Sequence, residues 1–233
     1  MNILAIDAST DHGAVAVCQD QALLSAFASE GKQNHSETLL PLVQKALKES
    51  GLSIGQIDLF VCAVGPGSFT GVRMAVSLVK GLAFDSGKPC VGVSSLAALA
   101  YNLAGSKGIV CPVIDARRGN VYNALYREGV RLTEDRLIDL PSLEKELEQR
   151  KGQGKEDIFL VGDGYDLAKA SWSLPTAETP AEKRLLLGHS IALAGFALYE
   201  KEGRAETADQ LRPEYLRPSQ AERERLAALK ETQ

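Results

Sequence analysis

The unbroken apolar run from Leu59 to Val64 passes straight into Gly65-Pro66-Gly67-Ser68-Phe69-Thr70-Gly71 and then into a helical pattern over residues 70–84. An apolar run with no polar interruption describes a strand buried on both faces, and such strands lie in sheets flanked by helices. Strand, glycine loop and helix in that order is α/β grammar. A second apolar run, Ile158 to Val161, meets Gly162-Asp163-Gly164 about one hundred residues later, and Ile6-Asp7-Ala8 recurs as Ile114-Asp115-Ala116. Two features repeated in the same order point to a duplicated α/β unit rather than a solenoid, whose period is roughly 20 to 50 residues.

The remaining pattern fills in both halves. Ile3 to Ile6 and Ala14 to Cys18 form a hairpin around Ser9-Thr10-Asp11-His12-Gly13, and a third strand is expected near Leu23 to Ala28. Apolar residues at 39, 42, 43, 46 and 47 predict a helix over Glu37 to Ser50, capped by Ser36, with Pro41 in or near its first turn and a stop at Gly51. Further strands are expected at Cys90 to Val93, Val110 to Ile114 and Val121 to Tyr126. Helices are expected from Ser95 to Tyr101, Pro141 to Lys151 and Gly188 to Glu202. Gly105 to Gly108 reads as the boundary between an N-terminal lobe, 1–104, and a C-terminal lobe, 105–203. Lys151 to Lys155 reads as a polar loop. The tail from about 204 to 233 runs extended through Pro213 and Pro218, starts a charged helix at Ser219, and is expected to pack in part on the first lobe.

With 45% hydrophobic and 24% charged residues in 233, the chain can bury a large core. A formal charge of -4 argues against independent, tight nucleic-acid binding, which needs clustered cations. Inside an assembly, Arg117, Arg118 and the tail arginines are the cations available to an anion. The longest charge-free stretch, Pro89 to Ser106, is too polar to span a membrane, and the N-terminus lacks a basic leader region, so the cytoplasm is the expected compartment.

Gly65, Gly67, Ser68 and Thr70 stand at a helix start, where free N–H groups and the helix dipole can hold an anion. Neither the Walker nor the dinucleotide pattern is met, because Thr70-Gly71-Val72 stands where the Walker lysine would be, and a tight turn capped by Ser68 or Thr70 accounts for the same residues. Asp7 and Asp115 end strands and face turns, a placement that suits either a cation near a cleft or simple turn capping. His12, His35 and His189 offer no i, i+4 metal pair, so no metal site is expected. Cys18, Cys62, Cys90 and Cys111 read as buried thiols, and no Gly-x-Ser-x-Gly elbow is present. The helix over 70–84 is apolar nearly all round, which calls for cover on two sides.

Ile3-Leu4-Ala5-Ile6-Asp7-Ala8-Ser9, His35-Ser36-Glu37, Gly65-Pro66-Gly67-Ser68-Phe69-Thr70-Gly71-Val72-Arg73, Ile114-Asp115-Ala116-Arg117-Arg118 and Pro213-Glu214-Tyr215-Leu216-Arg217 together resemble the TsaB family, bacterial subunits of the tRNA threonylcarbamoyladenosine machinery. The resemblance spans nearly the whole chain. It implies a two-lobed fold shared with actin, heat-shock chaperone ATPases and sugar kinases, with a mixed sheet flanked by helices in each lobe. It implies a TsaD-like catalytic partner, a TsaE-like ATPase in a larger complex, a homodimer when alone, contact with tRNA only indirectly, and no cofactor. The catalytic relatives carry His-x-x-x-His after a strand like Cys90 to Val93; Ser95 and Leu99 stand in those places, which implies a noncatalytic subunit required for modification of the adenosine beside the anticodon. The implied partner surface is the helix pair over 37–50 and 70–84, here Leu39, Leu42, Val43, Ala46, Val72, Arg73, Val76, Val79, Lys80 and Ala83. The competing reading is an enzyme, an ATP-dependent phosphotransferase or a metallopeptidase.

Overall fold

A computed structural model describes residues 1–29, 34–151 and 156–217. The first half runs β1 (Asn2–Asp7), β2 (Ala14–Gln19), β3 (Ala22–Ala28), α1 (His35–Ser50), β4 (Leu59–Gly65), α2 (Phe69–Ala83), β5 (Cys90–Ser94) and α3 (Ser95–Tyr101). The second runs β6 (Ile109–Asp115), β7 (Asn120–Asn123), β8 (Tyr126–Arg127), β9 (Val130–Arg131), β10 (Arg136–Asp139), α4 (Leu140–Lys151), β11 (Ile158–Val161), α5 (Tyr165–Ser171) and α6 (Gly188–Glu202).

The first sheet has the order β3-β2-β1-β4-β5, with β1, β2 and β3 antiparallel and β1, β4 and β5 parallel. The second sheet repeats that plan. Its central β6 is antiparallel to β7 and β8 on one side and parallel to β11 on the other, so β6 stands for β1 and β11 for β4. Even the glycines that end β4 and follow β11, Gly65 and Gly162, share a φ of 116°. The strand expected over Val121 to Tyr126 is broken into β7 and β8, which pair with β6 in one register, Val113 with Asn123 and Val110 with Tyr126. The break lies opposite Cys111-Pro112, where proline has no N–H to give the ladder. Asn123, fully buried, repairs the gap by donating from Nδ2 to the Pro112 carbonyl at 2.8 Å.

Three apolar clusters make five layers. Leu4, Ile6, Phe60 and Cys62 face α1 and α2 on the outside of the first sheet. Ile3, Ala5, Val61 and Val91 face inward with Leu96, Leu99 and Ile191, so α3 and α6 fill the space between the sheets, and Val110, Ile114 and Val161 close that layer from the second sheet. Ile109, Cys111, Ile158 and Leu160 face α4 and α5 on the far side. α6 packs on α3 and across β1 and β2.

Two local expectations are corrected. The cap of α1 is Asn34, whose side chain accepts the Ser36 N–H, while Ser36 Oγ donates to the same oxygen at 2.8 Å. Pro41 therefore lies in the second turn of α1, on its exposed side, where the carbonyl left without a partner faces water. Residues 204–217 cross the first sheet as a strap. Glu206 pairs with Cys90, Leu211 is fully buried, and the Glu214 N–H donates to the Val64 carbonyl at 2.7 Å. The final helix expected from Ser219 and most of the polar loop after Lys151 lie outside the described residues.

Candidate functional site

The candidate residues gather in two places: the strand ends, where β1, β4, β6 and β11 bring Asp7, Asp115 and Asp163 together with the glycine loop, and the outer face of α1 and α2.

At the strand ends, Asp7 is fully buried and its Oδ1 accepts the Ser9 N–H at 2.8 Å. Burial raises its carboxyl to about 6, against the opposing pull of the Ser9 N–H and of His35. Asp163, which follows β11, is likewise raised by burial to about 6, and its Oδ1 accepts the Asp115 N–H at 2.9 Å. His35 Nε2–H donates to the Thr10 carbonyl at 2.8 Å, which ties the start of α1 to the turn after β1. Asp7 Oδ2, Ser9 Oγ, His12 Nδ1 and His35 Nδ1 are buried without a hydrogen-bond partner among the described residues.

The glycine loop packs on this turn. A Cβ at Gly67 would meet the Ser9 carbonyl, one at Gly71 the Ala8 carbonyl, and one at Gly65 the Glu214 carbonyl. The Ser68 N–H donates to Ser9 O at 2.7 Å, and Ser68 Oγ caps α2 by accepting the Gly71 N–H. The Ser68 N–H is thus taken up by the Ser9 carbonyl, Gly65 and Gly67 lie against backbone carbonyls, and Thr70 lies exposed in the first turn. Packing of the loop on the turn after β1 and on the strap accounts for its glycines, and Ser68 is the cap that the turn alternative names.

On the helices, the expected partner residues Leu39, Val43, Ala46, Val72, Val76, Val79 and Ala83 are all buried against the first sheet. That expectation is corrected: the most regular apolar stripe of α2 is the one the sheet takes. Leu42 and Lys80 are half-buried, Lys80 Nζ donating to the Asp209 carbonyl of the strap, and Arg73 is exposed. What faces outward is a groove of about 480 Å³ between α1 and α2, lined by His35, Leu40, Phe69, Arg73, Met74 and Leu78 among others. Leu40 is 44% exposed. At the groove's end Tyr215 of the strap stacks on Phe69 with ring centroids 4.6 Å apart, and the Arg73 guanidinium lies 5.2 Å from the Phe69 ring.

Ser95 and Leu99 are both fully buried in α3, and Leu99 belongs to the core between the sheets. No group of three or more metal-ligating side chains occurs among the described residues. All four cysteines are buried free thiols, with Cys18 and Cys111 pushed up to about 12 by burial. Sequence reading missed Leu40, Phe69, Met74 and Leu78 as a surface and Asp163 as a neighbour of Asp115; the doubled Leu39-Leu40 and the Gly-Asp-Gly repeat were the available signals.

Residues 28–222 match the family described as TsaD: tRNA N6-adenosine threonylcarbamoyltransferase. A Bacillus subtilis relative, the tRNA threonylcarbamoyladenosine biosynthesis protein TsaB, is 33% identical over 227 residues, which cover 95% of this chain and 96% of that one. The chain belongs to the TsaB family. Among solved structures, a Pseudomonas aeruginosa protein described as uncharacterized with similarity to peptidase YEAZ superposes with a TM-score of 0.75 at 29% identity, covering 93% of this chain and 99% of that one. An ADPNP-bound activator of 2-hydroxyisocaproyl-CoA dehydratase from Clostridium difficile, 11% identical with a TM-score of 0.51, covers 87% of this chain and 97% of its own. At that identity the likeness shows the fold alone. No helix among the described residues is long and apolar enough to cross a membrane.

Proposed function

We propose that the chain is a noncatalytic subunit of cytoplasmic tRNA threonylcarbamoyladenosine biosynthesis that binds and positions a TsaD-like catalytic partner. The observation that carries this reading is the exposed apolar groove between α1 and α2, rimmed by Leu40, Phe69 and Met74. A helix pair that leaves an apolar seam open is suited to a second helix pair, giving a four-helix contact. Self-association through the same seam gives the homodimer of the isolated chain, and a TsaE-like ATPase joins the assembled pair.

The noncatalytic part rests on Ser95 and Leu99, which offer neither an imidazole nor exposure where the catalytic relatives carry two histidines. Two lobes, residues 1–104 with the strap from 204 onward and residues 105–203, are the proposed organisation. The test is reconstitution with the TsaD-like and TsaE-like proteins of the same organism. Threonylcarbamoylation should require this chain, the chain alone should have no transferase activity, and Leu40→Asp should abolish both co-elution and modification. Full modification without the chain, or transfer by the chain alone, would sink the reading.

A further inference from the structure

The turn joining β6 to β7 differs from its counterpart between β1 and β2 in backbone and in charge. Arg117, Arg118 and Gly119 have φ values of 70°, 57° and 74°, three successive residues in the left-handed region. For arginine that region is unfavourable, and strain of this kind persists where the surroundings enforce it. Here they do: Asp115 Oδ1 accepts the Arg117 N–H at 2.7 Å, the Asn120 N–H donates to the Arg117 carbonyl at 3.2 Å, and the Leu140 N–H donates to the Gly119 carbonyl at 3.1 Å. The result is a fixed turn with both arginine side chains exposed.

A third guanidinium is brought to the same turn from the other end of the chain. Arg217, at the end of the strap, donates from Nη1 to the Ala116 carbonyl at 3.2 Å. Against these three cations stands one ion pair, Arg117 to Asp115 at 3.3 Å, and neither Arg118 nor Arg217 has an ion-pair partner among the described residues. Asp163 faces inward beside Asp115, with its Oδ1 taken by the Asp115 N–H. In the first half the equivalent turn buries Ala8, Ser9 and Thr10 beneath the glycine loop and carries no arginine.

We propose that Arg117, Arg118 and Arg217 form a phosphodiester-contact site that holds the tRNA backbone once the complex is assembled. The inference rests on the proposed function, which supplies the nucleic acid. Guanidinium forks match phosphate oxygens, and contacts of this kind fix position without reading sequence. Three contacts on a chain of net charge -4 make a weak site alone, so the site adds to a surface the partner provides.

The experiment measures tRNA affinity of the reconstituted complex across about 50 to 200 mM salt, with the wild-type chain, Arg117→Asn/Arg118→Asn, and Arg217→Gln. Asparagine accepts left-handed backbone, so the turn keeps its shape. The double variant should bind tRNA at least about tenfold more weakly at low salt, with the slope of log affinity against log salt reduced by about 2, roughly one per phosphate contact. Arg217→Gln should reduce the slope by about 1, and Arg117→Lys/Arg118→Lys should restore most of it. Unchanged affinity and slope, or weaker binding with an unchanged slope, in a complex that still co-sediments would overturn the site. Failure of the wild-type chain to form the complex at all would instead overturn the proposed function, and this inference with it.

Discussion

The two outer helix layers cover their sheets on one plan and differ in what they show outward. In the second half, α4 turns Leu140, Leu143 and Leu147 to the sheet and shows water a charged face, with Glu146 bridging Arg136 at 2.7 Å and Arg150 at 2.8 Å. In the first half, α2 turns Val72, Val76 and Val79 to the sheet, yet its other face carries Met74, Leu78 and Leu82 beside the small residues Ser77 and Gly81. The inward faces are equivalent and the outward faces are not. A sheet needs one apolar stripe from each helix that covers it, so the outward apolar surface of α2 exceeds what the sheet takes and is what the proposed partner would cover.

The largest effects should come from the faces that match. Val76→Asp and Leu143→Asp each bury an unpaired carboxylate, and both should cost more than about 4 kcal/mol and abolish cooperative unfolding near room temperature. A well-folded Val76→Asp protein in a denaturant titration would show that the inward stripe of α2 is misassigned.

Next in size is a titration at the buried strand end. Asp7 has a folded-state pKa of about 6, above its ordinary 3.8, so the native state holds a proton that the unfolded chain releases. Stability should therefore be greatest below about pH 4 and fall as pH rises toward 6, by up to the order of 3 kcal/mol. Asp7→Asn keeps an acceptor for the Ser9 N–H and removes the charge, so it should melt higher than wild type at pH 8 and alike at pH 4. Thermal melts with parallel pH profiles for the two proteins would contradict this. Asp163→Asn should act in the same direction and to a similar extent in the second half, because its carboxyl is raised to about 6 as well.

The outward faces sharpen the contrast at about 2 kcal/mol. Leu40→Asp or Met74→Asp should leave thermal stability within roughly 0.5 kcal/mol and weaken partner association about thirtyfold or more, read by sedimentation. Glu148→Lys on the solvated face of α4 should change neither. Equal association by all of these variants would erase the distinction between the layers.

How much of this was legible in the sequence follows from what each pattern encodes. The duplication, the strands of the first half and the limits of α2 and α6 were readable, because apolar runs and glycine punctuation are local. The orientation of α2 was not. Apolar residues nearly all round leave periodicity without direction, and Val72, Val76, Val79 and Ala83, a regular i, i+3, i+4 stripe, were assigned to the partner when the sheet takes them. The polar marks Arg73 and Ser77, one turn apart, pointed outward and were the better guide. Asp163 meets Asp115 across 48 residues of chain, and no spacing rule links them. The break between β7 and β8 was signalled only by Pro112 on the opposite strand, which a reading along one strand does not consult.

The smallest test compares how the two outer layers begin. Asn34 caps α1 by accepting the Ser36 N–H, and Asp139 caps α4 by accepting the Ser142 N–H at 2.9 Å. Asn34→Ala should cost about 1 kcal/mol at every pH, since an amide oxygen does not titrate. The Ser142 hydrogen bonds hold the Asp139 carboxyl below its usual range, so its contribution is present above the ordinary carboxylate pKa and lost as pH falls through the depressed value. Melts of Asp139→Asn should therefore match wild type at low pH and fall below it near neutrality, whereas Asn34→Ala should run parallel to wild type throughout. Parallel curves for both variants would mean that the charge at Asp139 adds nothing to its cap.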